Sequence, residues 1–521
     1  MTLPKPDESQ GVLRPSGAAL LLEMARRLVD DYGERAIVAW ALATFSVLWT
    51  AFHTISLWPV ALRDDAAEAA VWAQHFALGY KHPPLTAWLF SAWFAVFPRT
   101  NWAMHLNAVL LSAIALAVAW RLNRDYLDKD KALFGLAALI LVPLYTFKTA
   151  ELNANTAMLP LWPAALLFYL RARRGLGLWN SVLAGACASA AMLAKYWAVY
   201  LFAGMAVAAV IGVGTRRFWR SPAPYLMVAG AALVIAPHLY WYVTQAGGNN
   251  HDFDFAGQYI QQQVMTTDSF GASVAKSANY LLGLIAYAAG PLLLLAALRP
   301  SRAALADIVR PADADRQQAL ILFAVPMLLP AFVNLVLPYR LTPDWTLPSW
   351  ALLPIVLYGS RKIAVDAYAA AGAGLLALAV SVVFLLAAPF IAYVHLKEGL
   401  NHNRPSSDEI ALTARRLTGK PVELYWGSPD IVGDLPFYVR GATPLNTPLN
   451  DDPFLPENQA RIAARGLLIA CLDSDAACRK TQAELGGGPD TKAAAVTISR
   501  TFLGVAGPPI GVHIAALPAQ R

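Results

Sequence analysis

Residues 63–90 read RDDAAEAAVWAQHFALGYKHPPLTAWLF. Asp64, Asp65 and Glu68 open the stretch, and Lys81 and His82 stand just before its Pro-Pro pair. Apolar sequence flanks these charges on both sides, at 36–57 and in the run LTAWLFSAWFAVF at 85–97. Ionisable groups confined between apolar runs mark a place where a chain that crosses a bilayer turns outside it.

The whole chain agrees with that reading. Of 521 residues, 57% are hydrophobic and only 14% are charged, whereas soluble domains carry about 25% charged residues. Mean hydropathy is +0.45. This excludes an ordinary soluble enzyme and makes the bilayer the main solvent. Sixteen Trp and nineteen Tyr suit it, because their amphipathic rings favour the headgroup level. The start, MTLPKPDESQGVLRPSG, lacks a charged region abutting a short apolar one. It does not read as a cleavable signal, so insertion is expected to begin at 36–57.

A spanning helix needs about 20 mainly apolar residues. Candidates are 36–57, 103–120, 132–147, 156–170, 179–194, 197–214, 223–243, 277–298, 318–337, 346–358 and 363–394. The run 85–97 is too short to span and suits an interfacial or re-entrant helix. Basic clusters fall on every second loop: Arg121 to Lys131, Arg171 to Arg174, Arg216 to Arg220, Arg299 to Arg316, and Arg361 with Lys362. Those loops are expected to be cytoplasmic, together with residues 1–35. The quoted stretch, within a first exterior loop at 58–102, then faces the other side. So do the segment from Lys148 to Asn155, the turn at Lys195, residues 244–276, and Tyr339 to Trp345.

An odd number of spans places the tail outside as well. Residues 396–521 change composition and read as a small α/β domain. RPSSDEIALTARRLTG predicts a helix with a serine cap near Ser407 and Gly419 just past its end. PVELYWG, LPFYV, GLLIACL, AAAVTIS and VHIAALP read as strands, with helices at PENQARIAAR and DSDAACRKTQAEL. Cys471 and Cys478 could pair outside the cytoplasm, while Cys187 reads as inert packing in an apolar run. The GGG at 486–488 lacks the strand-then-helix setting of a phosphate loop and reads as a turn.

Asp65 and Glu68 are three residues apart, so a helix would place both on one face. The run AAEAAVWAQHFAL favours a helix, and Pro83 and Pro84 end it. Asp64 or Asp65 serving only as a helix cap is the plain alternative. Lys195, Arg340 and Lys148 abut turns beside spans and could simply snorkel to the interface. As a set they are among the few cations kept on the exterior face, which suits a phosphate-bearing ligand. His82 could be a donor, a metal ligand, or a polar residue ending a helix.

The pattern D-x-x-E-x-x-x-W-x-Q-x-x-x-x-G-Y-x-H-P-P-L-x-x-W-L, from Asp65 to Leu89, resembles the first exterior loop of bacterial dolichyl-phosphate-mannose–protein-mannosyltransferase-like enzymes. These are glycosyltransferase family 39 relatives with the GT-C membrane fold. AELNANTAMLPLWP (150–163), MLAKYWAVY (192–200), APHLYWYV (236–243) and WTLPSWALLP (345–354) add to the likeness, which covers about 36–395. The resemblance implies an α-helical polytopic membrane protein of about eleven transmembrane helices, with a small periplasmic C-terminal α/β domain. It also implies a polyprenyl-phosphate-linked sugar donor and inverting transfer on the periplasmic face of the inner membrane. By motif alignment the catalytic residue is Asp65. Many relatives have Asp-Glu there, whereas this chain has Ala66 after Asp65, so the choice among Asp64, Asp65 and Glu68 stays open.

The residues fit that chemistry on their own terms. Attack by a hydroxyl on an anomeric carbon needs a base, and a carboxylate also stabilises an oxocarbenium-like transition state. A lipid-phosphate leaving group needs fixed cations. Lys195 and Arg340 lead as donor-phosphate ligands, followed by Lys81, His82 and Tyr196; Glu151, Asn153 and Asn155 are further cavity candidates. No cofactor is required, although Asp65, Glu68 and His82 could hold a divalent cation. Expected partners are the donor, a lipid or glycan acceptor and the membrane, with no nucleic acid. Competing readings are a protein O-glycosyltransferase and a transporter or flippase for a lipid-linked sugar. A transporter would place its charges near the bilayer midplane.

Overall fold

The structure is a computed structural model that describes residues 17–62, 64–74, 76–80, 82–212, 214–246, 264–398, 407–419, 423–445 and 452–519. An amphipathic helix α1 (Gly17–Tyr32), not expected from the sequence, precedes α2 (Glu34–Ser56). Its Arg26 and Arg27 pair with Glu23, while Leu20, Leu21, Met24 and Leu28 stay exposed. The quoted stretch forms two short helices, α3 (Asp64–Trp72) and α4 (Leu85–Val96).

The helical body continues with α5 (Asn101–Asn123), α6 (Lys129–Ile140), α7 (Ala154–Met158), α8 (Leu161–Arg173), α9 (Leu178–Ala194) and α10 (Val199–Ile211). Then follow α11 (Thr215–Trp219), α12 (Ala223–Ala246), α13 (Phe270–Tyr287), α14 (Ala289–Ala297), α15 (Arg302–Val309) and α16 (Ala314–Val336). A 3-10 helix at Pro343–Leu352 runs into α17 (Leu353–Tyr358), and α18 (Ala367–Lys397) closes the body.

Every segment expected to span contains helix, but fewer cross by themselves. Among the described residues five helices (α2, α5, α12, α16, α18) are long and apolar enough, or six if α13 and α14, bent by 50°, count as one. Prolines account for two of the breaks. Pro160 and Pro163 divide 154–173 into α7 and α8, and Pro343 and Pro348 hold 343–352 in a 3-10 turn. The stretch 346–358 is almost wholly buried in protein, which is where irregular backbone is tolerated at membrane depth.

Helices α9 and α12 touch backbone to backbone. A Cβ at Gly185 would overlap the Met227 carbonyl, and one at Gly230 would overlap Val182. Basic residues meet acids at one end of the bundle: Arg124 with Glu34 (2.8 Å), Arg171 with Asp125 (2.6 Å) and Arg174 with Asp315 (2.6 Å). From that end α2 runs towards Asp65, α9 towards Lys195 and α16 towards Arg340. The candidate residues therefore collect at the opposite end.

The C-terminal domain holds α19 (Ser407–Thr418), β1 (Leu424–Gly427), α20 (Pro429–Val432), α21 (Leu435–Tyr438), β2 (Thr443–Pro444), α22 (Pro456–Arg465), β3 (Leu467–Leu472) and α23 (Ala476–Leu485). Strands β4 (Lys492–Ile498), β5 (Thr501–Phe502), β6 (Val505–Ala506) and β7 (Ile510–Leu517) complete it. The five-stranded sheet has the order β2-β1-β3-β7-β4, parallel from β2 to β3 and antiparallel beyond. Cys471 and Cys478 form a disulfide. Two expectations change. Helix α19 begins at Ser407 itself, and LPFYV is the helix α21 rather than a strand. Pro436 has no N–H for a ladder but fits a helix's first turn.

Candidate functional site

Helix α3 turns Ala66, Ala69 and Ala70 into the core, all fully buried, and leaves Asp65 exposed and Glu68 half-buried. Asp64 is its first residue. Past α3, the Trp72 and Tyr80 rings stack (5.8 Å between centroids), and His82 meets Trp72 edge-on at 5.4 Å. Trp88 of α4 donates its indole N–H to the Ala77 carbonyl (3.0 Å) and stacks on Phe76. Aromatic packing, not a regular element, shapes this connection.

A second clamp comes from α12. The Leu78 carbonyl can only accept, so His238 Nδ1 carries the proton in the neutral ring and donates to it at 2.7 Å. Nε2 then accepts from the Tyr196 hydroxyl at 2.9 Å. The Trp241 ring stacks on His238 (5.7 Å), and a Cβ at Gly79 would overlap that indole. Gly79→Ala is expected to lower stability by about 1–3 kcal/mol through overpacking, read as a lower melting temperature. In a Trp241→Ala background the added cost of Gly79→Ala should largely vanish.

Lys195 lies in the turn between α9 and α10, half-buried. Its ammonium donates to Asn155 Oδ1 at 2.8 Å and sits 4.4 Å from the Trp345 ring centroid, a cation–π geometry. Burial pushes its pKa down to about 8; Asp65 is the largest charge opposing that, Arg340 adds to the lowering, and Asp344 opposes it. Asp65, Arg340, Asp344 and Lys195 therefore act on one another across a single region.

Arg340 is exposed, and its segment is held by backbone. The Arg340 N–H donates to the Val264 carbonyl (2.7 Å) and the Thr266 N–H to Pro338 (3.0 Å). Lys276 donates to the Tyr339 carbonyl (3.2 Å), and the Tyr339 hydroxyl donates to Pro330 (3.0 Å).

The remaining candidates separate. Asn155 receives Lys195. Asn153 caps α7 through its side chain, accepting from the N–H groups of Asn155 and Thr156. Glu151 is buried, 5% exposed, beside that cap. The Tyr196 hydroxyl is committed to His238. Lys81 lies outside the described residues. Among the described residues no three His, Cys, Asp or Glu side chains converge as a metal centre, so Asp65, Glu68 and His82 do not form one here.

Sequence reasoning missed Asp344. It pairs with Lys148 at 2.8 Å and accepts from the Tyr287 hydroxyl. The signal was PDW: Pro343 opens the 3-10 helix that sets Trp345 against Lys195 and Asp344 against Lys148. His238, inside a span, lay in the likeness motif APHLYWYV but was not singled out as a site residue.

The model of the family described as dolichyl-phosphate-mannose-protein mannosyltransferase matches residues 81–241. That segment includes Asn155, Lys195 and His238, and excludes Asp65 and Arg340. The crystal structure of ArnT from Cupriavidus metallidurans bound to undecaprenyl phosphate is similar, with a TM-score of 0.62 at 15% identity, over 92% of this chain and 98% of that one. Its apo state gives 0.61 at 14%, with the same coverage. No curated protein sequence matches. The chain thus has the fold of ArnT, a GT-C membrane fold with a small C-terminal domain.

Proposed function

We propose that this chain is an inverting glycosyltransferase. It moves a sugar from a polyprenyl-phosphate donor to a cell-envelope lipid or glycan on the periplasmic face of the inner membrane. The observation that carries the reading is Lys195, a half-buried cation beside Trp345, held by Asn155 and within electrostatic reach of Asp65. A half-buried cation with no carboxylate in direct contact among the described residues suits an anion that arrives from elsewhere. The matching fold of an ArnT structure that contains undecaprenyl phosphate supports a lipid phosphate as that anion.

In this reading Lys195 and Arg340 take the donor phosphate and stabilise its rising charge as the glycosidic C–O bond breaks. Asp65 accepts the acceptor hydroxyl proton as that oxygen attacks the anomeric carbon from the opposite face. The periplasmic assignment rests on the ion-paired basic residues at the other end of the bundle.

The test is reconstitution of the purified chain in nanodiscs with a panel of polyprenyl-phosphate sugars and candidate lipid, glycan and protein acceptors. Mass spectrometry is expected to show a glycosylated lipid or glycan and free polyprenyl phosphate. Product on protein alone would replace the acceptor class, and donor crossing the bilayer unchanged would replace the reaction. A pH prediction follows from Lys195. Its charge is present below about 8 and lost above it. Undecaprenyl phosphate binding is therefore expected to weaken as pH rises from 7 through 9. Titration by native mass spectrometry checks this, and pH-independent binding would remove Lys195 from the phosphate site.

A further inference from the structure

The C-terminal domain touches the first exterior loop at four places. At the loop's entry, Trp58 donates its indole N–H to the Thr501 carbonyl and Arg500 donates to the Trp58 carbonyl, both at 3.2 Å. Past α3, Gln74 donates to the Ala442 carbonyl (2.6 Å), and the Thr443 hydroxyl donates to Gln74 Oε1 (3.3 Å). Behind α4, the Phe437 ring sits edge-on to Phe94 (5.4 Å) and Phe90 (6.1 Å). At the exit, Arg99 donates to the Pro436 carbonyl (2.9 Å), and the Tyr438 hydroxyl donates to Asn101 Oδ1 (2.6 Å).

Phe437 is the telling residue. It is 0% exposed, yet it belongs to the core of the helical body, with Ala66, Ala69, Phe90 and Phe94. It is absent from both clusters that hold the C-terminal sheet together. Helix α3 has nine residues and α4 twelve. Helices this short are not stable alone and take their position from what they pack against. The buried face of α3 is mostly alanine and offers little area of its own.

We infer that the C-terminal domain is a positioning element for the first exterior loop, with Phe437 as the wedge that sets where α3 holds Asp65 relative to Lys195. Its functional consequence rests on the proposed reading of that site. Phe437 and Gln74 act through α3 and α4 and are positioning residues.

The experiment uses the full-length chain in nanodiscs. In Phe437→Ala, hydrogen–deuterium exchange in peptides spanning 64–97 is expected to rise about a hundredfold, while 467–472 and 510–517 keep their protection. Phe437→Leu should restore most of the protection in 64–97. Should Phe437→Ala fail to fold, Gln74→Met serves, with a smaller rise in the same peptides. Unchanged exchange at 64–97 overturns the proposal, and so does a rise of equal size throughout the C-terminal sheet.

A second readout is one that loosened packing alone would not move. Asp65 holds the Lys195 pKa up. The pH at which undecaprenyl phosphate binding is lost should therefore move down in Phe437→Ala, as it should in Asp65→Asn. A midpoint unchanged in Phe437→Ala but lowered in Asp65→Asn overturns the link to Asp65. A wild-type chain that binds no undecaprenyl phosphate overturns the proposed function instead, and the exchange result still decides the role of Phe437.

Discussion

Asparagine at position 65 is expected to lower the turnover of sugar transfer by about a thousandfold or more, with the chain still folded and inserted. The substitution keeps the volume and removes both the charge and the basicity of the side chain. The side chain is exposed on α3, so packing loses nothing. A general base alone contributes about 10²–10⁴ in rate. The carboxylate's stabilisation of an oxocarbenium-like transition state disappears with it. Binding of undecaprenyl phosphate measures something else. Asp65 is an anion acting on Lys195, and removing it takes away repulsion against the incoming phosphate. At a pH well below the Lys195 pKa, which this substitution itself lowers, binding should hold or tighten while kcat collapses. Glu68→Gln, on the same helix but half-buried, is expected to lose far less. If Glu68→Gln proves dead and Asp65→Asn active, the base is Glu68.

The second large effect is expected from Lys195→Met. Loss of a fixed cation from a dry site costs about 10²–10³ in turnover, together with weaker undecaprenyl phosphate binding. The substitution should not unfold the chain. Burial already disfavours this ammonium, and its partners among the described residues are one neutral amide oxygen and one ring face. Methionine removes the desolvation cost, keeps a chain to lie on Trp345, and leaves Asn155 Oδ1 to the open site. The melting temperature is expected to hold or rise, which separates a binding role from a structural one. Lys195→Arg is not a conservative control, because a planar guanidinium needs different room and partners. A variant that turns over normally without the ammonium would leave Arg340 as the only cation of the proposal.

Much of the site was legible because local chemistry dictated it. The Ala-rich run after Asp65 favours a helix, though that helix ends at Trp72, well before the Pro83-Pro84 pair expected to stop it. Lys195 stood out as a charge beside an apolar turn, and Asn155 came from the same reasoning. Two residues escaped. LPFYV carries an alternating apolar pattern that suits a strand, yet Pro436 and the docking of Phe437 on α4 make it a helix. Asp344 looked like an ordinary loop carboxylate, because its partners Lys148 and Tyr287 lie far away in sequence.

By itself the amino-acid sequence determined that this chain lives in a bilayer, where its helices run, and which end of the bundle keeps few cations. Those are consequences of composition, periodicity and charge placement, which act over a few turns of chain. Tertiary structure decided that Lys195 meets Asn155 and Trp345, that Tyr196 serves His238, and that prolines break several expected spans into short helices. It also decided that a residue of the C-terminal domain completes the core beneath the first loop. Short helices have no stable position of their own, so their placement is set by surfaces brought from hundreds of residues away, which no local pattern encodes.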